Sequence, residues 1–196
     1  MTITLLVIGA LIVLFGLYVV SRYNRLVTLR NRFENAYAQI DVQLKRRYDL
    51  IPNLVETAKG FMEHERETLE SVTKARTQAQ KANQKASESP GDPEAMQMLN
   101  EAEARLTESL SGLNIAVEDY PELKSDTTMN QLMEELRTTE NKVAFARQSY
   151  NDAVTSYNTA RESFPTNIIA GMFNFNAAEL FEVQLAEERE APEVSF

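Results

Sequence analysis

The residue types that most often do chemistry are scarce in this chain of 196 residues. It has no cysteine and one histidine, His64, which lies among the charged residues 63–67. A zinc-protease helix would need a second histidine four residues farther on. The glycine-rich phosphate loops, the dinucleotide fingerprint and the Gly-x-Ser-x-Gly nucleophile turn are also missing from the sequence. The sequence therefore predicts no catalytic, cofactor-binding or metal-binding residues and favours a protein that is not an enzyme.

Carboxylates are the other groups that could form a site, since helical bundles can hold two iron ions between glutamates and Glu-x-x-His motifs. No Glu-x-x-His motif occurs here. Four glutamates are instead expected to be exposed or paired with basic residues along their helices: Glu56, Glu70, Glu134 and Glu140. A metal-dependent enzyme is the least favoured alternative.

Several arginines fall near the apolar faces of the predicted helices: Arg46, Arg47, Arg76 and Arg147. In one interpretation their aliphatic stems cover the core while the guanidinium groups stay in water. In the other they pair with carboxylates of other helices, which would fix the helix register; the candidates are Asp41, Asp49 and Glu140. The sequence alone leaves both interpretations open.

The elements that would position these residues begin with an apolar segment. Residues 3–20 carry no charge and one threonine, and a membrane core about 30 Å thick needs roughly 20 such residues in a helix. A cleaved signal peptide would have basic residues ahead of a shorter run and a small-x-small cleavage site. Neither is present, so residues 1–22 are interpreted as a permanent transmembrane anchor.

Basic residues follow this segment closely, and none precedes it: Arg22, Arg25, Arg30 and Arg32. Such an excess marks the cytoplasmic side, which predicts a single-pass protein of the bacterial inner membrane with its N-terminus outside. Anionic lipid headgroups would attract this basic zone. The rest of the chain is acidic, the net charge is −9, and nucleic acid is not expected as a partner.

Apolar residues spaced three and four apart predict an all-α fold. No glycine or proline lies between Arg22 and Ile51, so the transmembrane helix is expected to continue into the first helix of the bundle. Pro52 should kink or break it, before a second helix that carries Leu54, Ala58, Phe61 and Met62. A third helix should start after the cap Asp92, and a fourth near residues 125–126, ending before Pro165. About four long helices with short connections favour an antiparallel bundle or coiled coil.

The end of the chain has a different composition. Residues 168–175 are apolar, and residues 176–179 could cap a short C-terminal helix carrying Leu180 and Phe181. Packing of this segment on the bundle is favoured over contact with the membrane or a partner. Residues 23–182 are thus assigned to the bundle, and residues 183–196 to an acidic tail that is predicted to be disordered.

Motifs along nearly the whole chain resemble those of the bacterial LemA family. The most specific is Leu-Lys-Arg-Arg-Tyr-Asp-Leu-Ile-Pro-Asn-Leu-Val at residues 44–55, and further matches include Thr-Glu-Asn at 139–141 and Phe-Pro-Thr-Asn-Ile-Ile-Ala at 164–170. The motif residues to which a structural role is assigned are Arg46, Arg47, Asp49, Pro52, Asn53, Arg76, Glu140, Arg147, Pro165 and Asn167. The resemblance implies a single-pass inner-membrane protein with a helical bundle. It implies no catalytic residues and no cofactor, and it connects the chain with envelope processes and magnetosome membranes.

The favoured functional hypothesis is a membrane-anchored scaffold in bacterial envelope or membrane organisation that self-associates or recruits partners, such as other membrane proteins. The alternative is a membrane-surface remodeller or envelope-stress adaptor that binds anionic lipid through the basic zone and the aromatic segment 168–181.

Overall fold

The computed structural model describes residues 2–62 and 64–182. Of these residues 86% are helical and none is in a strand, so the predicted all-α class is confirmed. Its helices are α1 (Thr2–Lys59), α2 (Arg66–Glu88), α3 (Pro93–Glu118), α4 (Pro121–Lys124), α5 (Thr127–Glu162) and α6 (Thr166–Met172). The predicted disordered tail, residues 183–196, lies outside the described residues.

Helix α1 runs without interruption from the apolar segment into the bundle, as predicted. It has 58 residues, which corresponds to about 87 Å at 1.5 Å per residue. Its N-terminal part is long and apolar enough to cross a membrane, and none of that part is buried against the rest of the protein. The apolar segment and the first helix of the bundle are therefore one continuous, stiff helix.

The predicted start of the second helix is wrong. Pro52 lies inside α1, and Leu54 and Ala58 belong to the buried stripe of α1. The helix ends only at Lys59, directly before Gly60, a residue of low helix propensity. Pro52 does not end the helix, because a proline on an exposed helix face can be accommodated when the carbonyl that it leaves free finds another donor.

Helices α2 and α5 both lie antiparallel to α1 and pack against it. The Tyr37 hydroxyl donates a hydrogen bond to Asn83 Oδ1 (2.8 Å) near the end of α2, and the rings of Phe33 and Tyr157 are 5.1 Å apart near the end of α5. Apolar side chains of all three helices belong to one continuous core. These contacts place the ends of α2 and α5 at the same end of the bundle as the apolar segment.

Helices α2 and α3 form an antiparallel hairpin, closed by a salt bridge between Lys85 and Glu94 (2.7 Å). The predicted cap of α3 is confirmed, since the Asp92 carboxylate accepts a hydrogen bond from the amide of Ala95. Asp126 caps α5 in the same way, and the short helix α4 fills the connection before it. Capping side chains thus set the starts of both helices.

Residues 173–182, the C-terminal strap, are not helical, so the predicted short helix at residues 176–181 is wrong. The strap lies along α5 and hydrogen-bonds to it through its backbone. Asn158 pairs with both the amide and the carbonyl of Ala178, and Asn151 pairs in the same way with Phe181. The side chains of α5 thus take the backbone groups that a helix would have used itself.

The geometry of this pairing explains why the strap is extended. Asn151 and Asn158 are seven residues apart on α5, or about 10.5 Å along the helix. Their partners in the strap are only three residues apart, and three residues reach about 10 Å only when the backbone is nearly extended. Every third strap residue is buried: Phe175, Ala178 and Phe181. The second half of segment 168–181 therefore packs on the bundle, as the favoured interpretation expected of the whole segment.

Gly91, in the loop between α2 and α3, contacts the strap. Its φ is +85°, a region that glycine adopts readily, and its carbonyl accepts a hydrogen bond from the Glu179 amide (2.9 Å). A Cβ at this position would lie 2.9 Å from the Cβ of Ala178 and 3.0 Å from Cε2 of Phe33. The close approach of loop and strap therefore requires glycine here.

We predict that Gly91→Ala lowers the free energy of unfolding by roughly 1–3 kcal/mol, because the methyl group overpacks the contact and strains the backbone. Gly112→Ala is the matched control, since Gly112 lies in α3 with open space around it. That change should instead stabilise the protein by about 0.5–1 kcal/mol through helix propensity. Thermal unfolding of the detergent-purified chain, followed by circular dichroism, would contradict this prediction if both variants shifted in the same direction.

Candidate functional site

The most buried charged groups of the bundle meet around Arg47 of α1. We call this group the Arg47 cluster: Arg47, Tyr48, Glu103, Thr107 and Glu140. Arg47 is only 5% exposed and Glu103 only 1%. Arg47 Nη1 lies 2.9 Å from Glu103 Oε2 on α3, and its Nη2 lies 3.3 Å from Glu140 Oε1 on α5. The cluster therefore connects α1, α3 and α5 through a single guanidinium group.

Burial dominates the electrostatics of this cluster. It raises the pKa of the Glu103 carboxyl, although the positive charge of Arg47 and the hydrogen bond from Tyr48 oppose that shift. Burial, reinforced by the nearby Glu103, also raises the pKa of the Tyr48 hydroxyl, which therefore stays protonated and can donate to the carboxylate. Such a buried, hydrogen-bonded pair holds three helices in one register, because any shift would leave a charge without its partner.

A second polar contact lies one helical turn from Arg47 and involves Pro52. Proline has no N–H, so the carbonyl four residues earlier, that of Tyr48, loses its helical hydrogen bond. Arg76 of α2 donates its Nε–H to this carbonyl at 2.6 Å. Arg76 thus replaces the missing bond, which allows α1 to continue through Pro52 and attaches α2 at the same point. Two residues of the family motif are explained by one contact.

The other predicted motif residues lie outside this cluster. Arg46, Asp49, Asn53 and Asn167 are exposed, while Arg147 and Pro165 are half-buried. The interpretation that arginines pair between helices holds for Arg47 with Glu140. Asp41 contacts Lys45 and Asn83 rather than an arginine. The structure thus brings together only Arg47, Arg76, Pro52 and Glu140 of the predicted set.

Sequence reasoning missed Glu103, the carboxylate at the centre of the cluster. It lies four residues after Leu99 and three before Leu106, both of which are buried in α3. A charged residue at a position that the spacing assigns to the core was the signal that could have identified it. Tyr48, whose hydroxyl donates a hydrogen bond to Glu103, is likewise absent from the predicted site residues.

The predicted basic residues lie on the first turns of α1 beyond the apolar segment. Arg22 is half-buried, with its guanidinium 4.8 Å from the centre of the Tyr18 ring, while Arg25, Arg30 and Arg32 are exposed. The Arg30 guanidinium lies 5.4 Å from the ring centre of Phe175 in the strap. The basic zone and the end of the strap therefore share one end of the bundle.

Exposed apolar side chains accumulate at this same end. We call them the α6 patch: Phe164, Ile168, Met172 and Phe173. Phe164 is 81% exposed and Met172 is 71% exposed. The ring of Phe173 packs edge-on against that of Tyr23 of α1, with 4.9 Å between their centres. Clustered exposed apolar surface of this kind usually marks an interaction site.

No group of three or more metal-ligating side chains that could hold an ion occurs within residues 2–62 and 64–182. His64 is exposed. The arrangement thus offers two kinds of feature: buried polar contacts that fix the helices and an apolar surface near the anchor.

We predict that Arg76→Met destabilises the protein by about 1–3 kcal/mol, because it leaves the Tyr48 carbonyl without a donor. In the Pro52→Ala background the same change should cost much less, since the amide of the new alanine can bond that carbonyl. A double-mutant cycle by chemical denaturation measures the difference. Equal costs in the two backgrounds would show that Arg76 does not compensate for Pro52.

We predict that Arg47→Met destabilises the protein by about 3–5 kcal/mol, because Glu103 is then buried without a cation. Adding Glu103→Leu should recover much of the loss. The single variant should also become less stable as pH rises above the ordinary glutamate pKa, since the unfolded chain releases a proton that the folded chain keeps. Denaturation of both variants across pH checks this, and a pH-independent Arg47→Met variant would contradict it.

Comparison with known proteins is consistent with this architecture. Residues 36–196 match the LemA family. The chain is 26% identical over 194 residues to magnetosome protein MamQ 2 of Paramagnetospirillum magneticum, covering 91% of this chain and 71% of that protein. It is 25% identical over 174 residues to protein LemA of Metamycoplasma hominis, covering 89% of this chain and 75% of that protein. With residues 36–196 matched by the family model, the chain belongs to the LemA family.

Proposed function

We propose that this chain is a membrane-anchored, non-catalytic scaffold that self-associates side by side and recruits other membrane proteins. The observation that carries this proposal is the unbroken helix α1, which joins the apolar segment rigidly to the bundle. A rigid connection gives every copy in a membrane the same height and orientation. The buried polar residues of the Arg47 cluster support the non-catalytic part of the proposal, because they hydrogen-bond to one another between helices.

The proposed location is the inner membrane of a bacterium, with the N-terminus outside and the bundle in the cytoplasm. The arginines that follow the apolar segment support this orientation. Similarity to proteins named for the magnetosome supports a role in building a larger cellular structure.

Self-association is proposed to use the face formed by α1 and α5. Phe145 of α5 is 74% exposed, and it borders a groove lined by Ala36 and Gln43 of α1 and by Ala146 of α5. The Gln43 Oε1 atom is buried and accepts no hydrogen bond from any described residue. A neighbouring copy could supply both an apolar side chain and a donor to this groove.

The second copy is the favoured occupant because of membrane geometry. Copies anchored in one bilayer stand parallel, so they can be related by a two-fold axis along the membrane normal. Such an axis brings the same face of each copy together at the same height. Phe145 of one copy would then meet the α1–α5 groove of the other.

We predict that the detergent-purified protein has a mass well above that of a monomer, and that Phe145→Ser lowers this mass. Ile115→Ser is the matched control, because Ile115 is similarly exposed (64%) but lies on α3. Light scattering measures the mass, and crosslinking in native membranes followed by identification of the captured proteins tests the arrangement in place. A strictly monomeric mass for the unaltered protein would refute self-association.

A second candidate function is contact with the lipid surface itself, which the α6 patch and the neighbouring arginines favour. A metal-dependent enzyme is the least supported candidate, and elemental analysis of the purified protein would detect a bound metal.

A further inference from the structure

The α6 patch lies at the height where the apolar segment of α1 leaves the membrane in the proposed arrangement. The apolar run ends at Val20, and Tyr23, which contacts Phe173, is three residues or about 4.5 Å farther along the helix axis. The patch therefore begins within the first helical turn beyond the apolar run.

The other end of the patch can be placed from the packing of α5. Phe33 of α1 contacts Tyr157, and the antiparallel α5 continues for five residues to Glu162. Its end thus lies near the height of residue 28, about 12 Å beyond Val20. Helix α6 then leads the chain back to the height of Tyr23. The lipid headgroup layer is about 5–7 Å thick on each side of the hydrocarbon core. The part of the patch nearest the apolar segment, around Phe173, therefore falls within this layer.

The two sides of α6 have different surroundings. Thr166, Ile169 and Ala170 are buried against the bundle. Ile168 and Met172, spaced four residues apart, are exposed on the other side, Phe164 is exposed just before the helix, and α6 has no charged residue. Exposing such side chains to water is unfavourable, whereas the boundary between headgroups and acyl chains can bury the apolar face of a helix to a depth of 5–10 Å.

Charge also favours lipid as the occupant of this surface. Arg22 and Arg25 lie on the turns of α1 that flank the patch, about 3 and 7.5 Å beyond Val20, at a height where they can reach anionic phosphates. The other large apolar side chains exposed on the described part of the bundle are scattered along its length: Val42, Phe61, Met98, Ile115 and Phe145. Among the described residues of the bundle, the largest group of exposed apolar side chains lies at the anchor end, beside these arginines.

We propose that the α6 patch inserts into the headgroup layer of the leaflet from which α1 emerges, so that the bundle contacts the bilayer at two points. This inference rests on the membrane anchoring in the proposed function. It does not require self-association. The two contacts together fix both the tilt of the bundle and its rotation about the anchor.

The chain contains no tryptophan, so single tryptophans can report depth in the full-length protein. The probes are Met172→Trp and Ile168→Trp, reconstituted in phosphatidylcholine–phosphatidylglycerol vesicles whose lipids carry nitroxide quenchers at shallow or deep positions. Phe15→Trp in the apolar segment is the positive control. Ile115→Trp on α3 is the exposed control far from the membrane, and circular dichroism verifies that each variant is folded.

Insertion predicts that the Met172→Trp and Ile168→Trp variants lose about half of their emission with shallow quenchers and much less with deep ones. The Ile115→Trp variant should be unaffected by either. If the two α6 variants behave like Ile115→Trp while Phe15→Trp is quenched, the patch does not touch lipid and the proposal is overturned.

The same measurements in the Phe145→Ser background separate this inference from self-association. Quenching that persists there supports direct lipid contact, whether or not the copies associate. Quenching that disappears would mean that α6 reaches the lipid only within an assembly, which contradicts insertion by a single copy. An unquenched Phe15→Trp variant would refute the membrane anchor, and the α6 proposal with it.

Discussion

The hydrogen bond from Arg76 to the carbonyl of Tyr48 is the contact on which the last part of α1 and the attachment of α2 depend. Proline within a helix removes one hydrogen bond and usually bends or ends it. Here the carbonyl that Pro52 leaves free is occupied by a donor from the adjacent helix, so α1 continues to Lys59. The same proline that could have ended the helix thus leaves a carbonyl free to which α2 is attached. The rigid connection between the apolar segment and the bundle does not need this contact, because residues 20–51 contain no glycine or proline. The contact instead extends α1 beyond Pro52 and attaches α2 to that last part of the helix.

Polar contacts perform a similar task elsewhere in the bundle. The Arg47 cluster joins α1 with α3 and α5 next to the Arg76 contact, so α1 meets all three long partner helices within two turns. Apolar packing alone would allow neighbouring helices to slide by a turn at modest cost. A buried charge with one partner on each helix makes such a shift expensive. The core therefore supplies the affinity between helices, and the polar contacts define their register.

Much of this fold could be predicted from the sequence because it is encoded locally. Apolar spacing identified the helices, and Asp92 and Asp126 marked two of their starts. The end of α1 was misplaced because the partner of the Tyr48 carbonyl, Arg76, lies 28 residues away in the chain. The extended strap was mistaken for a helix for the same reason, since Asn151 and Asn158 of α5 determine its conformation. Glu103 was overlooked because its partners are on other helices. Local patterns thus predicted elements, whereas long-range polar contacts were beyond their reach.

The continuity of α1 also makes the protein a lever. About 39 residues of the helix lie beyond Val20, a length of roughly 58 Å. Transmembrane helices tilt by about 20° on average, and they tilt more when the bilayer is thinner than their apolar length. A tilt of that size at the base displaces the far end of the bundle sideways by roughly 20 Å. The tilt that the proposed α6 contact sets at the membrane would therefore decide where the far end of the bundle stands.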